Sequence, residues 1–276
     1  MNIKSVLKEK NFIFKKSLGQ NFLTDEALLG SVVERSGVTK ETTVLEIGVG
    51  ACTLTSEIAK RCKKVYGFEV DNNLKPVLEK TLGEYQNVEI IFKDIMKVSM
   101  QDIEEMLGGE YILVANLPYY ITTPIIMRFI EEAKNCTAIV ITIQKEVAER
   151  IVAKEKTADY GSITVSINAV ADSEIIEYIG REKFYPAPNV DSAVVKITLN
   201  RDKFKINDLG AFRTLIKHSF AMRRKTLVNN LMKGYGYNRE ECENLLNAIG
   251  VSIASRGEEL SVEKFVQLSN IISANG

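Results

Sequence analysis

Short apolar runs alternate with amphipathic stretches through the first two thirds of the chain. Residues 44–47, 64–68, 88–92, 111–115 and 138–143 are near-continuous apolar segments, the pattern of strands covered on both faces. Between or after them, residues 53–61, 72–82, 122–132 and 145–153 have helical spacing. Strand–helix alternation of this kind predicts an α/β fold, with a mostly parallel sheet and helices on both faces. The pattern then changes. Residues 162–171, 174–179 and 192–199 read as strands with little helix between them, so the sheet is expected to end in antiparallel pairs. From about Asn207 the spacing is helical throughout, over 208–220, 223–233, 239–249 and 261–272. A boundary is therefore expected near residue 200, giving domains 1–200 and 201–276.

Composition agrees with this picture. A chain of 276 residues suits one large domain and one small one. With 45% apolar and 26% charged residues it is of ordinary globular character. No apolar run approaches the ~18 residues of a membrane span. The N-terminal lysines precede no long apolar stretch, so no signal peptide is expected. The four cysteines, Cys52, Cys62, Cys136 and Cys242, form no CxxC pair and fit no zinc spacing. Reduced thiols in a cytoplasmic protein are the expectation. His218 is the only histidine. A multi-histidine metal site is thereby excluded, and no metal is expected. In its basic helix His218 reads as structural or phosphate-adjacent.

The net charge is zero, yet charge is unevenly distributed. Residues 1–20 carry five lysines against one glutamate, and residues 201–235 carry nine basic side chains against two acidic. Residues 41–110 run the other way, with thirteen acidic against eight basic. A local basic surface can hold phosphates on a neutral molecule; a solvated charged face is the plainer alternative. Lys15, Lys16, Arg223, Arg224 and Lys225 are the candidate RNA contacts. The last three, read as consecutive positions on a helix, cannot all face one phosphate.

Two segments carry candidate chemistry. The first is a strand, a glycine turn and a helix start, Val44-Leu-Glu-Ile-Gly-Val-Gly50 and onward. Gly48 and Gly50 allow a tight turn and close approach to a ligand. Glu69 ends the next strand, where a carboxylate can accept from both hydroxyls of a ribose. Asp94 follows the third strand and can accept from an adenine amine. A GxG turn alone is a weak signal. The dinucleotide pattern fails, because Thr53 stands at its third glycine. The glycine turn with Glu69 and Asp94 suits S-adenosylmethionine, which has a ribose and an adenine but no phosphates. The alternative for the two acids is ordinary helix N-terminal carboxylates.

The second segment is Asn116-Leu-Pro-Tyr-Tyr120, directly after a strand. An adenine amine is a poor nucleophile because its lone pair is delocalised into the ring. Acceptors for its two N–H groups draw the nitrogen toward tetrahedral geometry. The Asn116 side-chain oxygen can be one and the Leu117 carbonyl the other. Pro118 fixes the turn, and Tyr119 can stack on an extruded base. A polar turn that merely closes a strand is the alternative.

Taken together, these segments resemble the ribosomal RNA adenine dimethyltransferase family, most closely its bacterial small-subunit, or kasugamycin-sensitivity, branch. The resemblance runs almost end to end. It rests on GQNFL (19–23), EIGVG (46–50), NLPY (116–119), FYPAPNVDS (184–192), FAMRRKTL (220–227) and RGEELS (256–261). The first and third are specific; the glycine loop is not. The resemblance implies a Rossmann-like S-adenosylmethionine-dependent methyltransferase sheet with a small C-terminal helical, rRNA-binding domain. It further implies that Asn21, Leu23, Gly48 and Gly50 line the donor site together with Glu69, Asp94 and Asn116. Tyr119 and Phe184 would sandwich the flipped base; read alone, Phe184 before two prolines is more readily a loop anchor than a base stacker. The implied reaction is double methylation of two adjacent adenosines near the 3′ end of small-subunit rRNA, on an assembling ribosomal subunit, by a monomer. Val49 and Cys52 depart from the family, which often has proline and glycine there, and Tyr120 stands where other members have Asn. Two alternatives remain open. One is the large-subunit, macrolide-resistance branch, against which the C-terminal motifs weigh. The other is an assembly factor for which methylation is secondary.

Overall fold

The computed structural model describes residues 3–15 and 19–275. In chain order the elements are α1 (Ile3–Glu9), β1 (Phe22–Leu23), α2 (Glu26–Ser36), β2 (Thr43–Ile47), α3 (Thr53–Ala59), β3 (Lys64–Phe68), α4 (Lys75–Leu82), β4 (Val88–Ile91), α5 (Met100–Leu107), β5 (Tyr111–Asn116), α6 (Tyr119–Glu132), β6 (Cys136–Gln144), α7 (Lys145–Ile151), α8 (Ser162–Asn168), β7 (Ala171–Ile179), β8 (Phe184–Tyr185), β9 (Ser192–Leu199), α9 (Leu209–Ser219), α10 (Leu227–Tyr235), α11 (Arg239–Ala248) and α12 (Val262–Asn275). They form two compact units, Met1–Ala148 with Glu174–Leu199, and Glu149–Ser173 with Asn200–Gly276.

The first unit is built on a seven-stranded sheet of order β4-β3-β2-β5-β6-β9-β7. β2 pairs in parallel with β3 on one side and β5 on the other, β4 and β6 extend the parallel set, and β9 returns antiparallel to β6. Because successive strands depart to opposite sides of β2, a crevice opens beyond its carboxyl end, where open α/β sheets bind ligands. The register places Ile47 opposite both Phe68 and Ala115, so the loops after β2, β3 and β5 start level with one another. One apolar layer packs Leu29, Val33 and Ile58 with the strand residues Val44, Val114 and Val140. The other gathers Ile3, Val6 and Leu7 of α1, Leu74 and Val77, and the loop residues Val49, Ala51 and Cys52. Each such side chain contributes roughly 1.5–3 kcal/mol on burial, so α1 is tied to the glycine loop by apolar packing. A separate two-stranded ladder joins β1 to β8, with Phe22 opposite Tyr185 and Leu23 opposite Phe184.

The second unit is helical. Three of its helices start at side-chain caps: Asp208 accepts from the Ala211 amide, Thr226 from Asn229, and Asn238 forms a reciprocal box with Glu241. Phe212, Leu215, Leu231, Leu246 and Phe265 are buried at its centre. The Tyr160 hydroxyl donates to the Leu260 carbonyl at 2.8 Å. His218 stacks edge-on against Tyr235, with centroids 5.0 Å apart, and a Cβ on Gly234 would collide with its ring. Its role is in packing.

Three features differ from the sequence pattern. Residues 162–171 do not form a strand. Ser162–Asn168 is a helix of the second unit, and β7 starts at Ala171. The β-branched alternation of Ile163, Val165 and Ile167 mimics a strand, but side-chain bonds favour the helix. Thr164 Oγ1 accepts from the Gly161 amide, and the Asn168 amide donates to the carbonyls of Ile151 and Thr164. Tertiary context here overrides propensity. With this change residues 149–173, read from the sequence as part of the first domain, group with the C-terminal residues. Second, Arg223, Arg224 and Lys225 lie in the turn before α10 rather than on a helix, because Thr226 caps that helix. Third, α6 starts at Tyr119, three residues before the predicted start, and carries Pro124 within it.

Candidate active site

The loops at the carboxyl ends of β2, β3 and β5 enclose a cavity of about 600 Å³. Its wall includes Asn21, Gly48, Gly50, Glu69, Asp94, Asn116, Leu117, Pro118, Tyr119 and Phe184. These ten positions, scattered over more than 160 residues of sequence, therefore converge. Leu23 is the exception among the expected cofactor contacts. Side chains alternate across a strand. Phe22 takes the cavity side of β1, while Leu23 is 2% exposed in the apolar layer under the sheet.

The turn after β2 is shaped by contact as well as by conformation. Gly48 has φ +77°, and a Cβ there would lie 2.8 Å from Leu117 Cδ2. Gly50 has φ +57°, and a Cβ there would lie 2.8 Å from the Phe22 ring. Both positions thus require glycine twice over, in the left-handed conformation and for space. Cys52 also has positive φ, +67°, and is buried. The position demands a conformation that a side chain strains.

Glu69 is held firmly. Its Oε1 accepts from the amides of Val70 and Asp71 and its Oε2 from that of Gly50, all at 2.8 Å. Burial nonetheless pushes its carboxyl above the usual range, against those three bonds. Oε2 has one protein donor and can accept another from the cavity. Asp94 caps the turn after β4, with Oδ1 accepting from Met96 N at 3.0 Å; Oδ2 is 4.0 Å from Lys97 Nζ.

Glu46, quoted in the glycine motif but given no role there, is the most unusual group in the wall. It is 1% exposed, and neither carboxylate oxygen has a hydrogen-bond partner. The neighbouring Thr55 hydroxyl is likewise buried and unpartnered. Burial pushes the Glu46 carboxyl up to about 8; Thr55 opposes this and the charge of Glu69 adds to it.

Asn116 is the last residue of β5. Its Nδ2 donates to the Asn21 carbonyl at 3.5 Å. That long bond turns the amide so that Oδ1, the acceptor, is left for the cavity. Pro118 follows as the residue before α6, and Gly19, with φ +54°, packs so closely that a Cβ would lie 2.9 Å from Pro118 Cβ. The GQNFL and NLPY segments are thus in contact. Tyr119 is half-buried. Its hydroxyl lies 2.8 Å from Ser192 Oγ, and burial raises its phenol despite that bond. Ser192 is the last residue of the FYPAPNVDS motif, which also brings Phe184 to the cavity. Tyr120 lines the mouth and is 68% exposed.

The expected RNA contacts divide. Lys16 lies outside the described residues. Lys15 is already engaged, with its Nζ 2.7 Å from Asp71 Oδ1. In the second unit, Arg223 donates to the Ala158 carbonyl at 2.6 Å, while Arg224 and Lys225 are exposed on the turn. No helix among the described residues is long and apolar enough to cross a membrane.

The chain matches the family model described as ribosomal RNA adenine dimethylase over residues 11–274. It is 41% identical to ribosomal RNA small subunit methyltransferase A of Geobacillus kaustophilus, over 98% of this chain and 94% of that protein. It is 42% identical to the protein of the same name from Clostridium botulinum, over 99% and 98%. A dimethyladenosine transferase of Plasmodium falciparum shares the fold, with a TM-score of 0.79 and 22% identity over 92% of this chain and 98% of that one. With the cavity, the glycine turn and the Asn-Leu-Pro-Tyr segment assembled at one sheet edge, and with similarity of this extent, the chain belongs to the ribosomal RNA adenine dimethylase family.

Proposed function

We propose that this protein transfers methyl groups from S-adenosylmethionine to the N6 atoms of two adjacent adenosines near the 3′ end of small-subunit rRNA, twice on each, on an assembling subunit. The observation that carries the reading is Asn116, which lines the cavity and whose Nδ2 donates to the Asn21 carbonyl, leaving Oδ1 as its acceptor.

The residues present fit the donor. Its sulfonium and ammonium groups are cationic, and the wall offers Glu46, whose two buried oxygens lack partners; kept protonated by burial without the donor, it would ionise beside such a charge. A ribose would find Glu69 Oε2 and an adenine amine Asp94 Oδ2, each with capacity to accept. When bound, the donor supplies an electrophilic methyl group. The rest of the chemistry belongs to this chain. Asn116 Oδ1 and the Leu117 carbonyl accept from the target amine and localise its lone pair. Pro118 contributes no N–H to compete for them. Tyr119, braced by Ser192, and Phe184 supply aromatic faces for an extruded base, and such stacking is worth ~1–3 kcal/mol per base. The amine becomes acidic once alkylated, so no strong base is required. Positioning and exclusion of water carry most of the rate.

Arg224 and Lys225, exposed on their turn, are the side chains we assign to RNA phosphates. The test is to incubate the protein with labelled S-adenosylmethionine and undermethylated small subunits, then map the modified nucleotides. Two adjacent dimethyladenosines are expected, and Asn116→Ala should abolish transfer while particle binding persists. Label elsewhere in the rRNA, or undiminished transfer by Asn116→Ala, overturns the reading.

A further inference from the structure

The N-terminal segment is held against the sheet by a closed set of polar contacts at the cavity's edge, where Gln20 joins the wall. Asp71 lies two residues beyond Glu69, and its side chain is fully buried. One oxygen, Oδ1, accepts from Lys15 Nζ at 2.7 Å and from the Asn73 amide at 3.1 Å. The other, Oδ2, accepts from Gln20 Nε2 at 2.9 Å. Gln20 closes the ring, since its Oε1 accepts from the Lys15 amide at 2.8 Å. Every polar atom of the Gln20 side chain is therefore committed to Lys15 or Asp71. Burial alone would raise the Asp71 carboxyl; the Lys15 and Gln20 bonds outweigh it and hold the group below its ordinary range. A buried carboxylate kept ionised by a half-exposed lysine and an amide is expensive to leave unpaired. The contacts are thus specific to this arrangement of the segment.

What the ring holds is the donor pocket. On one side, the Asp71 amide donates to Glu69 Oε1 at 2.8 Å, so the turn that Asp71 anchors also fixes the carboxylate facing the cavity. On the other, Gln20 is followed by Asn21, whose carbonyl orients Asn116, and by Phe22, which lies under Gly50. We propose that Lys15, Gln20 and Asp71 form a positioning clasp that sets donor affinity by locking the N-terminal segment and Glu69 into one geometry. The clasp assigns Lys15 to donor binding instead of RNA contact. It rests on the donor reading given above and adds three residues to it, none of which touches the reacting atoms.

The experiment measures binding of S-adenosylhomocysteine, which has no methyl group to transfer, by titration calorimetry to the full chain. Lys15→Met and Gln20→Leu alter partly exposed residues and leave the fold's cores intact; Asp71→Asn tests the buried partner. Each is expected to weaken binding at least fivefold, and Lys15→Arg to restore it to within twofold of wild type. The Lys15→Met/Gln20→Leu double variant should lose less than the product of the single losses, because both act through one carboxylate. In turnover, KM for the donor should rise while KM for the small subunit changes less than twofold. General destabilisation would instead shift both constants and would not be rescued by arginine. Unchanged affinity in Lys15→Met and Gln20→Leu, with wild type binding normally, overturns the clasp alone. A raised KM for the subunit in Lys15→Met but not in Lys15→Arg, with donor affinity unchanged in both, returns Lys15 to RNA contact. Failure of the wild-type chain to bind S-adenosylhomocysteine overturns the donor reading, and the clasp with it.

Discussion

Glu46→Gln is the substitution for which the structure gives the clearest magnitude. In the folded protein the Glu46 carboxyl is pushed from its ordinary value of 4.5 up to about 8, chiefly by burial. Below pH 4.5 folded and unfolded chains both hold the proton, and the group adds no pH dependence. Between 4.5 and 8 the unfolded chain loses the proton while the folded chain keeps it, so stability falls as pH rises, by ~1.36 kcal/mol per unit. Above pH 8 the loss is complete, at roughly 5 kcal/mol. Glutamine has nearly the same shape and does not titrate. Its unpartnered amide costs about 1–3 kcal/mol, but equally at every pH. The assay is urea unfolding of wild type and Glu46→Gln, without donor, at several values from pH 5 to pH 8. Titrating groups remote from Glu46 cancel in the difference between the two proteins. Wild type should lose several kcal/mol relative to the variant over that range. A difference constant to within about 1 kcal/mol would refute the claim that Glu46 is buried and protonated.

Two further outcomes follow from the same geometry. Gly50→Ala forces a Cβ to within 2.8 Å of the Phe22 ring at a φ of +57°. It should destabilise the protein by ~1–2 kcal/mol and weaken S-adenosylhomocysteine binding more than tenfold, read by thermal unfolding and calorimetry. Replacing Arg224 and Lys225 together by Ala should reduce the slope of log affinity for the small subunit against log salt by about 1–1.5, leaving donor affinity unchanged. An unaltered slope would remove that turn from the RNA surface. Arg223 is a poorer choice, because its bond to Ala158 makes any loss a mixture of folding and binding.

The parallel strands were legible because burial on both faces writes them as unbroken apolar runs. β2, β3 and β5 stand where residues 44–47, 64–68 and 111–115 place them, and the order of the sheet then brings Glu69, Asp94 and Asn116 to one edge. Elements that obey a weaker rule were not legible. α2 and α5 have little signature in the sequence although Asp25 and Ser99 cap them, since caps are single residues in a polar background. α8 was misread because β-branched residues in alternation satisfy the strand pattern, while the bonds that make it helical come from Ile151 and Gly161. The basic run 223–225 continues the helical spacing of α10, and only the Thr226 cap, a single residue, separates it from that helix.

The site shows the same division at finer scale. Residues whose job is to face a ligand are spelled out locally: a glycine where a Cβ would strike Leu117 or Phe22, and an Asn-Leu-Pro-Tyr run that places an amide, a carbonyl and a ring within four residues. Residues that hold those groups in place are specified by partners far away in sequence. Asp71 meets Lys15 and Gln20 across more than 50 residues, Tyr119 meets Ser192 across 73, and Asn116 meets Asn21 across 95. No periodicity or spacing rule reaches that far. Catalysis of methyl transfer to a weak nucleophile depends on positioning more than on proton transfer. Substitution of Lys15 should accordingly impair the reaction while leaving every recognisable motif residue in place.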